Sequence, residues 1–142
     1  MKQRIDARAD ASHALSHLVA LHQTLTDTFD KTLRHLIDVR VSLMNECHFC
    51  INMHTKEALD GGDTQERVSA LTHWQISSLF TEREKVALAW AEALTRQAAQ
   101  PEIEALHADL GRHFTSEEIA TLTIAIAAIN AWNRIGIASY RH

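Results

Sequence analysis

The feature that most limits the folds open to this chain is a scarcity of breakers: its 142 residues hold one proline, Pro101, and four glycines, at 61, 62, 111 and 136. Proline and glycine are the residues that end helices and shape tight turns. Ala, Leu, Glu and Gln, which fill much of the remainder, are strong helix formers. No segment alternates apolar and polar residues long enough to read as a strand, so the fold class expected is all-α. Helix starts are marked by a short oxygen side chain three residues before a glutamate, in Asp63-Thr-Gln-Glu66, Thr81-Glu-Arg-Glu84 and Thr115-Ser-Glu-Glu118. The pattern predicts about seven helices, over 9–27, 31–45, 47–60, 64–72, 82–99, 102–112 and 116–138, with Gly61-Gly62 and Gly111 as stops. They form one domain, 1–142, without linker or repeat.

The last helix, EEIATLTIAIAAINAWNRIGIASY, is apolar over most of its circumference between Ile119 and Ala131. A helix apolar all round is a buried one. In so small a domain that requires the centre of a bundle or a partner subunit, and a homo-oligomer is expected. Asn130, Asn133 and Arg134 interrupt the apolar surface and are expected to hydrogen-bond inside the bundle or across a subunit contact. Trp74, Trp90 and Trp132 are spread along the chain and read as packing residues.

The hydrophobic share of 46% suffices for a core, and two cysteines three apart cannot form a secreted disulfide framework. A net charge of −4 and no Lys/Arg run longer than two argue against nucleic acid as a partner. The N-terminal stretch MKQRIDARADASHAL lacks the apolar core of a signal peptide, and the longest apolar run, Ile124 to Ile129, is too short to span a bilayer. A soluble cytoplasmic protein without membrane partners is the expectation, in a compartment where thiols stay reduced.

Both cysteines lie in ECHFCINMHTKEALDGG, Glu46 to Gly62, with a histidine four residues after the second. On a helix, Cys47, Cys50 and His54 fall within an arc of about 60°. A helix beginning near Cys47 would aim its unpaired N–H groups and positive dipole end at a thiolate. His54 is placed one turn after Cys50, where an imidazole can accept the thiol proton directly or through water. Two adjacent thiols can also capture a sulfenic acid as a disulfide before further oxidation destroys it. Three readings compete: redox chemistry, inert buried cysteines, and a metal site in which Cys47, Cys50 and His54 supply zinc-type ligands. A thioredoxin-like βαβ setting is not visible. Nor is GxGxxG, CxxCH or a Walker loop, so no flavin, haem or nucleotide cofactor is expected. His48, between the cysteines, either tunes the thiolates or is an exposed histidine. Lys56 and Glu57 read as a solvated face, although Glu57 stands at i+3 from His54 and could orient it.

The stretch LRHLIDVRVSLMNECHFCINMHTKEAL resembles the alkylhydroperoxidase D (AhpD-like) core of the carboxymuconolactone decarboxylase family. The similarity continues in HWQISSLFTEREKVALAWAEALT and INAWNRIGIA and so covers residues 15 to 140. The resemblance implies an all-helical oligomer, a trimer or hexamer, with peroxidase activity on organic hydroperoxides. It implies Cys50 as the thiol that attacks peroxide, His54 in its proton relay, and Cys47 as the resolving thiol that receives electrons from a protein or small-thiol reductant. The branch that decarboxylates a lactone lacks CxxC, which argues against that reaction here. The family places a relay glutamate twelve residues before the first cysteine, where this chain has His35. A histidine can pass a proton but lacks a fixed negative charge to hold His54. The same substitution strengthens the metal alternative, a Cys2His2 set of Cys47, Cys50, His54 and His35. A redox-sensing dithiol with little turnover and an inactive scaffold complete the alternatives.

Overall fold

The computed structural model describes residues 2–141. Its elements are α1 (Ala7–Asp10), α2 (Ser12–Thr28), α3 (Lys31–Met44), α4 (His48–Asp60), α5 (Gln65–Ala70), a 3-10 helix (Leu71–Ile76), α6 (Glu82–Arg96), α7 (Gln100–Leu110) and α8 (Ser116–Ser139). Among the described residues there is no strand; one isolated antiparallel bridge joins Gln3 to Tyr140. With Arg141 N–H donating to Lys2 C=O at 3.1 Å, that bridge lays the N-terminal segment across the end of α8.

The centre is built on two helices. α3 packs against α4, α6 and α8, and α8 against α2, α3, α4 and α6. Leu36, Ile37 and Val41 of α3, Leu88 of α6 and Leu122 of α8 are fully buried, each stabilising the fold by about 1.5–3 kcal/mol relative to exposure. The all-round apolar character of α8 is thus explained by its central place, with Ile124 and Ile137 left partly exposed. α3 is buried on nearly every side and yet carries Arg34, His35, Asp38 and Ser42 inside the protein. Buried polar groups need partners: Arg34 meets Thr26 of α2 and His35, Asp38 faces His54, and Ser42 accepts from Asn133.

The helix boundaries follow the sequence with instructive departures. The stretch expected as one helix over 9–27 is two, because Asp6 caps α1 by accepting from Arg8 and Ala9 N–H, and Ala11 at φ −138° then breaks the run. The Thr81 and Thr115 capping boxes form with both reciprocal bonds. The start expected at Asp63 moves one residue: Thr64 caps α5, because the Asp63 carboxylate is held by the Arg67 guanidinium at 2.9 Å. The helix expected to 72 instead tightens into the 3-10 segment, with His73 at φ −141° off helical geometry. Gln97, at φ 56°, ends α6 in a left-handed cap three residues before α7 begins. Pro101 sits inside the first turn of α7, where its missing N–H has no helical partner to lose.

Candidate active site

The turn from α3 to α4 sets the cysteines. Asn45 ends α3, Glu46 takes a left-handed φ of 54°, and Cys47 becomes the extended N-cap of α4, its N–H bonded to Ser42 C=O at 3.1 Å. A non-glycine residue at positive φ stores strain that its surroundings must hold. Here Asn45 Nδ2 donates to Asn130 Oδ1 at 3.0 Å and Asn133 Oδ1 at 2.9 Å, and Asn133 Nδ2 donates to Ser42 Oγ at 2.9 Å. The asparagines of α8 therefore bond inside the bundle and tie this turn to it. Arg134 caps the arrangement from outside, donating to Asn130 Oδ1.

Cys47 and Cys50 are joined in a disulfide, Cα to Cα 5.2 Å, and both are buried. Cys47 Sγ also accepts from Cys50 N–H at 3.4 Å, so the sulfur lies where the first-turn donors point and the helix end favours negative charge. Across from the sulfurs stands Gly136 of α8: a Cβ there would lie 2.8 Å from Cys47 Sγ and 2.9 Å from Cys50 Sγ.

His54 lies one turn further along α4, 3% exposed. Its Nδ1 is 2.9 Å from Glu57 Oε2 and 3.8 Å from Asp38 Oδ2. Burial pulls the His54 pKa down, but the Glu57 hydrogen bond and the charges of Asp38 and Glu57 outweigh it and raise the net value. The Glu57 carboxyl is held low by the same bond to His54. Asp38, wholly enclosed, is pushed up to about 6 by burial, against the pull of His54 and Arg34. With Nδ1 engaged by carboxylates, Nε2 is the nitrogen left for other chemistry.

His35, the other expected relay residue, is buried beside Arg34, its Nε2 3.4 Å from Arg34 Nη2. Gly61 makes room for it: a Cβ there would come within 2.9 Å of His35 Cε1. Burial first and Arg34 second lower the His35 pKa. No hydrogen bond links His35 to His54, and the negative charge expected to be missing at His54 is supplied by Asp38 and Glu57. Cys47, Cys50, His54 and His35 do not assemble as a ligand set; among the described residues no three His, Cys, Asp or Glu side chains are grouped to hold a metal. His48 is exposed.

A pocket of about 240 Å³ opens onto Cys50, His54 and Glu57. Leu15, Phe49, Met53 and Ile135 give it apolar walls, and Asp6 and Arg8 of the N-terminal segment stand at its edge. Phe49 stacks on Tyr140 with centroids 4.5 Å apart. Trp132 lines the same pocket, unlike Trp74 and Trp90, whose indoles are bonded in the bundle to Glu92 and Thr123. Behind it a chamber of about 10 Å³ shares His22, His54 and Trp132 and adds Arg34 and Asp38. Three buried side-chain atoms make no hydrogen bond among the described residues, Arg34 Nε, His54 Nε2 and Trp132 Nε1, and all belong to residues lining these two spaces.

Of the residues the sequence singled out, the fold brings together the two cysteines, His54 and Glu57; the sequence did not point to Asp38, Gly61 or Gly136 as their neighbours, nor to Trp132 as a pocket residue. Gly136 did leave a trace, since a lone glycine inside a strongly helical stretch costs about 1 kcal/mol and calls for a packing reason. Asp38 left none, because its closeness to His54 depends on how α3 meets α4.

The family model for the carboxymuconolactone decarboxylase family matches residues 12–93. An uncharacterized Bacillus subtilis (strain 168) protein, YdfG, is 33% identical over 139 residues, covering 97% of this chain and 95% of its own length. Escherichia coli (strain K12) YnjA, also uncharacterized, is 28% identical over 102 residues, 71% of this chain and 55% of its own. Among solved structures, an Agrobacterium tumefaciens protein of unknown function, provisionally named an antioxidant defence protein, AhpD, superposes with a TM-score of 0.90 at 34% identity, covering 96% of this chain and 94% of that one. An uncharacterized peroxidase-related protein of Silicibacter sp. TM1040 shares the fold at a TM-score of 0.73 and 22% identity, over 88% of this chain and 67% of its own. With its all-helical architecture and its CxxC helix packed under α8, the chain belongs to the carboxymuconolactone decarboxylase family and has the AhpD-like fold.

Proposed function

We propose that this protein reduces organic hydroperoxides by cycling Cys47 and Cys50 between dithiol and disulfide. The observation that carries the reading is the Cys47–Cys50 disulfide at the wall of an apolar pocket that His54 also lines, its Nε2 unpaired among the described residues. The antioxidant-defence name of the Agrobacterium relative supports it.

In the reduced protein His54, oriented through Nδ1 by Glu57 and Asp38, takes the proton of the Cys50 thiol. The thiolate attacks the terminal peroxide oxygen: an S–O bond forms, the O–O bond breaks, and the alkoxide leaves with the proton held by His54 as an alcohol. Cys50 is then a sulfenic acid, oxidised by two electrons, and Cys47 displaces its oxygen as water to form the disulfide. Two electrons and two protons from an external dithiol or two small thiols restore both cysteines. Cys50 is assigned the attack because it, and not Cys47, lines the pocket. His35 acts on this centre at a distance, through the Arg34 guanidinium. We further infer self-association through the exposed face of α8 around Ile124, 49% exposed, which light scattering reads directly.

Hydroperoxide consumption with dithiothreitol as reductant tests the assignment. Cys50→Ser abolishes it, and Cys47→Ser reacts once without recycling. Full turnover by Cys50→Ser sinks the assignment of the nucleophile.

A further inference from the structure

We propose that the indole N–H of Trp132 binds the hydroperoxide group and stabilises its leaving oxygen, with His54 Nε2 as the second polar contact. The proposal rests on the peroxide-reduction reading and adds to it a residue of α8.

The protein has three tryptophans. Trp74 Nε1 donates to Glu92 Oε1 at 2.9 Å and Trp90 Nε1 to Thr123 Oγ1 at 3.0 Å. Trp132 Nε1 is buried and makes no hydrogen bond among the described residues, its ring lying edge-on to that of His22 with centroids 6.4 Å apart. A buried donor left unsatisfied costs about 1–3 kcal/mol, and the fold meets that need at the other two indoles. Trp132 stands four residues before Gly136, on the same face of α8 and displaced by about 6 Å along its axis. Since the Gly136 backbone lies directly on both sulfurs, the indole is one helical turn from the reacting pair. Trp132, His54 and Cys50 all line the same pocket, Trp132 and His54 line the small chamber as well, and His54 Nε2, like Trp132 Nε1, is enclosed and unpaired among the described residues.

An indole donor and an imidazole nitrogen on residues of one pocket match a hydroperoxide, which carries one O–H and two accepting oxygens. Leu15 and Met53 on the same pocket accept an alkyl or aryl group. When Cys50 sulfur bonds the terminal oxygen and the O–O bond breaks, the electron pair moves to the alkoxy oxygen. Trp132 N–H donates to that oxygen as its charge grows, and the proton that neutralises it comes from His54. Such a fixed donor acts most on the transition state, where the charge develops.

The test uses two measurements with tert-butyl hydroperoxide as probe. In 15N-labelled Cys47→Ser/Cys50→Ser protein, which cannot turn over, the three indole N–H signals are followed during titration, each assigned through its own backbone. The Trp132 signal moves downfield and those of Trp74 and Trp90 stay. In the reduced cysteine-intact protein, Trp132→Phe slows oxidation of Cys50 roughly 100-fold, while dithiothreitol reduces its disulfide at the wild-type rate, a split that general loosening of the fold would not produce. An unmoved Trp132 signal, or oxidation of Trp132→Phe at the wild-type rate, overturns the inference. The two readings fail separately: a moving Trp132 signal with wild-type thiols inert to the probe overturns peroxide reduction and keeps the binding site, whereas reactive thiols with an unmoved signal do the reverse.

Discussion

Replacing Gly136 by alanine tests how α8 and the dithiol fit. The added Cβ would stand 2.8 Å from Cys47 Sγ and 2.9 Å from Cys50 Sγ, well inside the carbon–sulfur contact distance. A disulfide cannot swing one sulfur aside without the other, so in the oxidised protein α8 must shift. Overpacking of this kind costs about 1–3 kcal/mol. Alanine also gains about 1 kcal/mol over glycine in a helix interior, but that gain is common to both redox states and cancels from their difference. In the dithiol each sulfur can rotate away on its own, so the penalty falls on the disulfide. At about 30 mV per 1.4 kcal/mol for a two-electron couple, the midpoint potential rises by roughly 20–65 mV, making the disulfide easier to reduce. The assay is equilibration against glutathione redox buffers, with free thiols trapped by alkylation and counted by intact mass. An unchanged potential, with thermal unfolding of the oxidised form also unchanged, would refute the packing argument.

Two further substitutions probe the surroundings of the dithiol. Glu57→Gln removes the carboxylate that holds His54 Nδ1, so the raised His54 pKa falls. The stability that protonated His54 contributes is complete below the ordinary histidine value of 6.5 and is lost as pH rises through its folded value. Melts across pH, with an NMR titration of the imidazole, should place that loss at lower pH in Glu57→Gln; identical profiles would clear Glu57 of the role. Asn133→Ala removes the donor to Ser42 Oγ and one of the two acceptors of Asn45 Nδ2, which keeps Asn130, and the one orphaned hydroxyl implies a loss of roughly 1–3 kcal/mol, measured by denaturant unfolding. A change under about 0.5 kcal/mol, typical of surface positions, would show that Asn133 does not hold the turn.

The order of helices could be read from the chain because the signals are local. A shortage of breakers, the threonine capping boxes at 81 and 115, and Gly61 and Gly111 as stops each act within a turn or two of their own position. The departures came from competition that a single stretch does not display. Arg67, drawn also to Glu84 at 2.7 Å, takes the Asp63 carboxylate and moves a helix start by one residue. The site divides in the same way. Cys47, Cys50, His54 and Glu57 share one helical segment, so their spacing placed them together. Asp38, Gly136 and Trp132 join them through the crossing of α4 with α3 and α8, and no local pattern carries a crossing. The absence of a glutamate at position 35 suggested a weakened relay, whereas the fold brings a different carboxylate, Asp38 of the same helix, to 3.8 Å from His54.

The most direct measurement is the thiol count of the reduced protein before and after one equivalent of an organic hydroperoxide, together with its intact mass. Capture of a Cys50 sulfenic acid by Cys47 predicts the loss of both thiols and a mass lower by about two hydrogens, restored by dithiothreitol. Two thiols still present at unchanged mass would contradict the peroxide-reducing account at its centre.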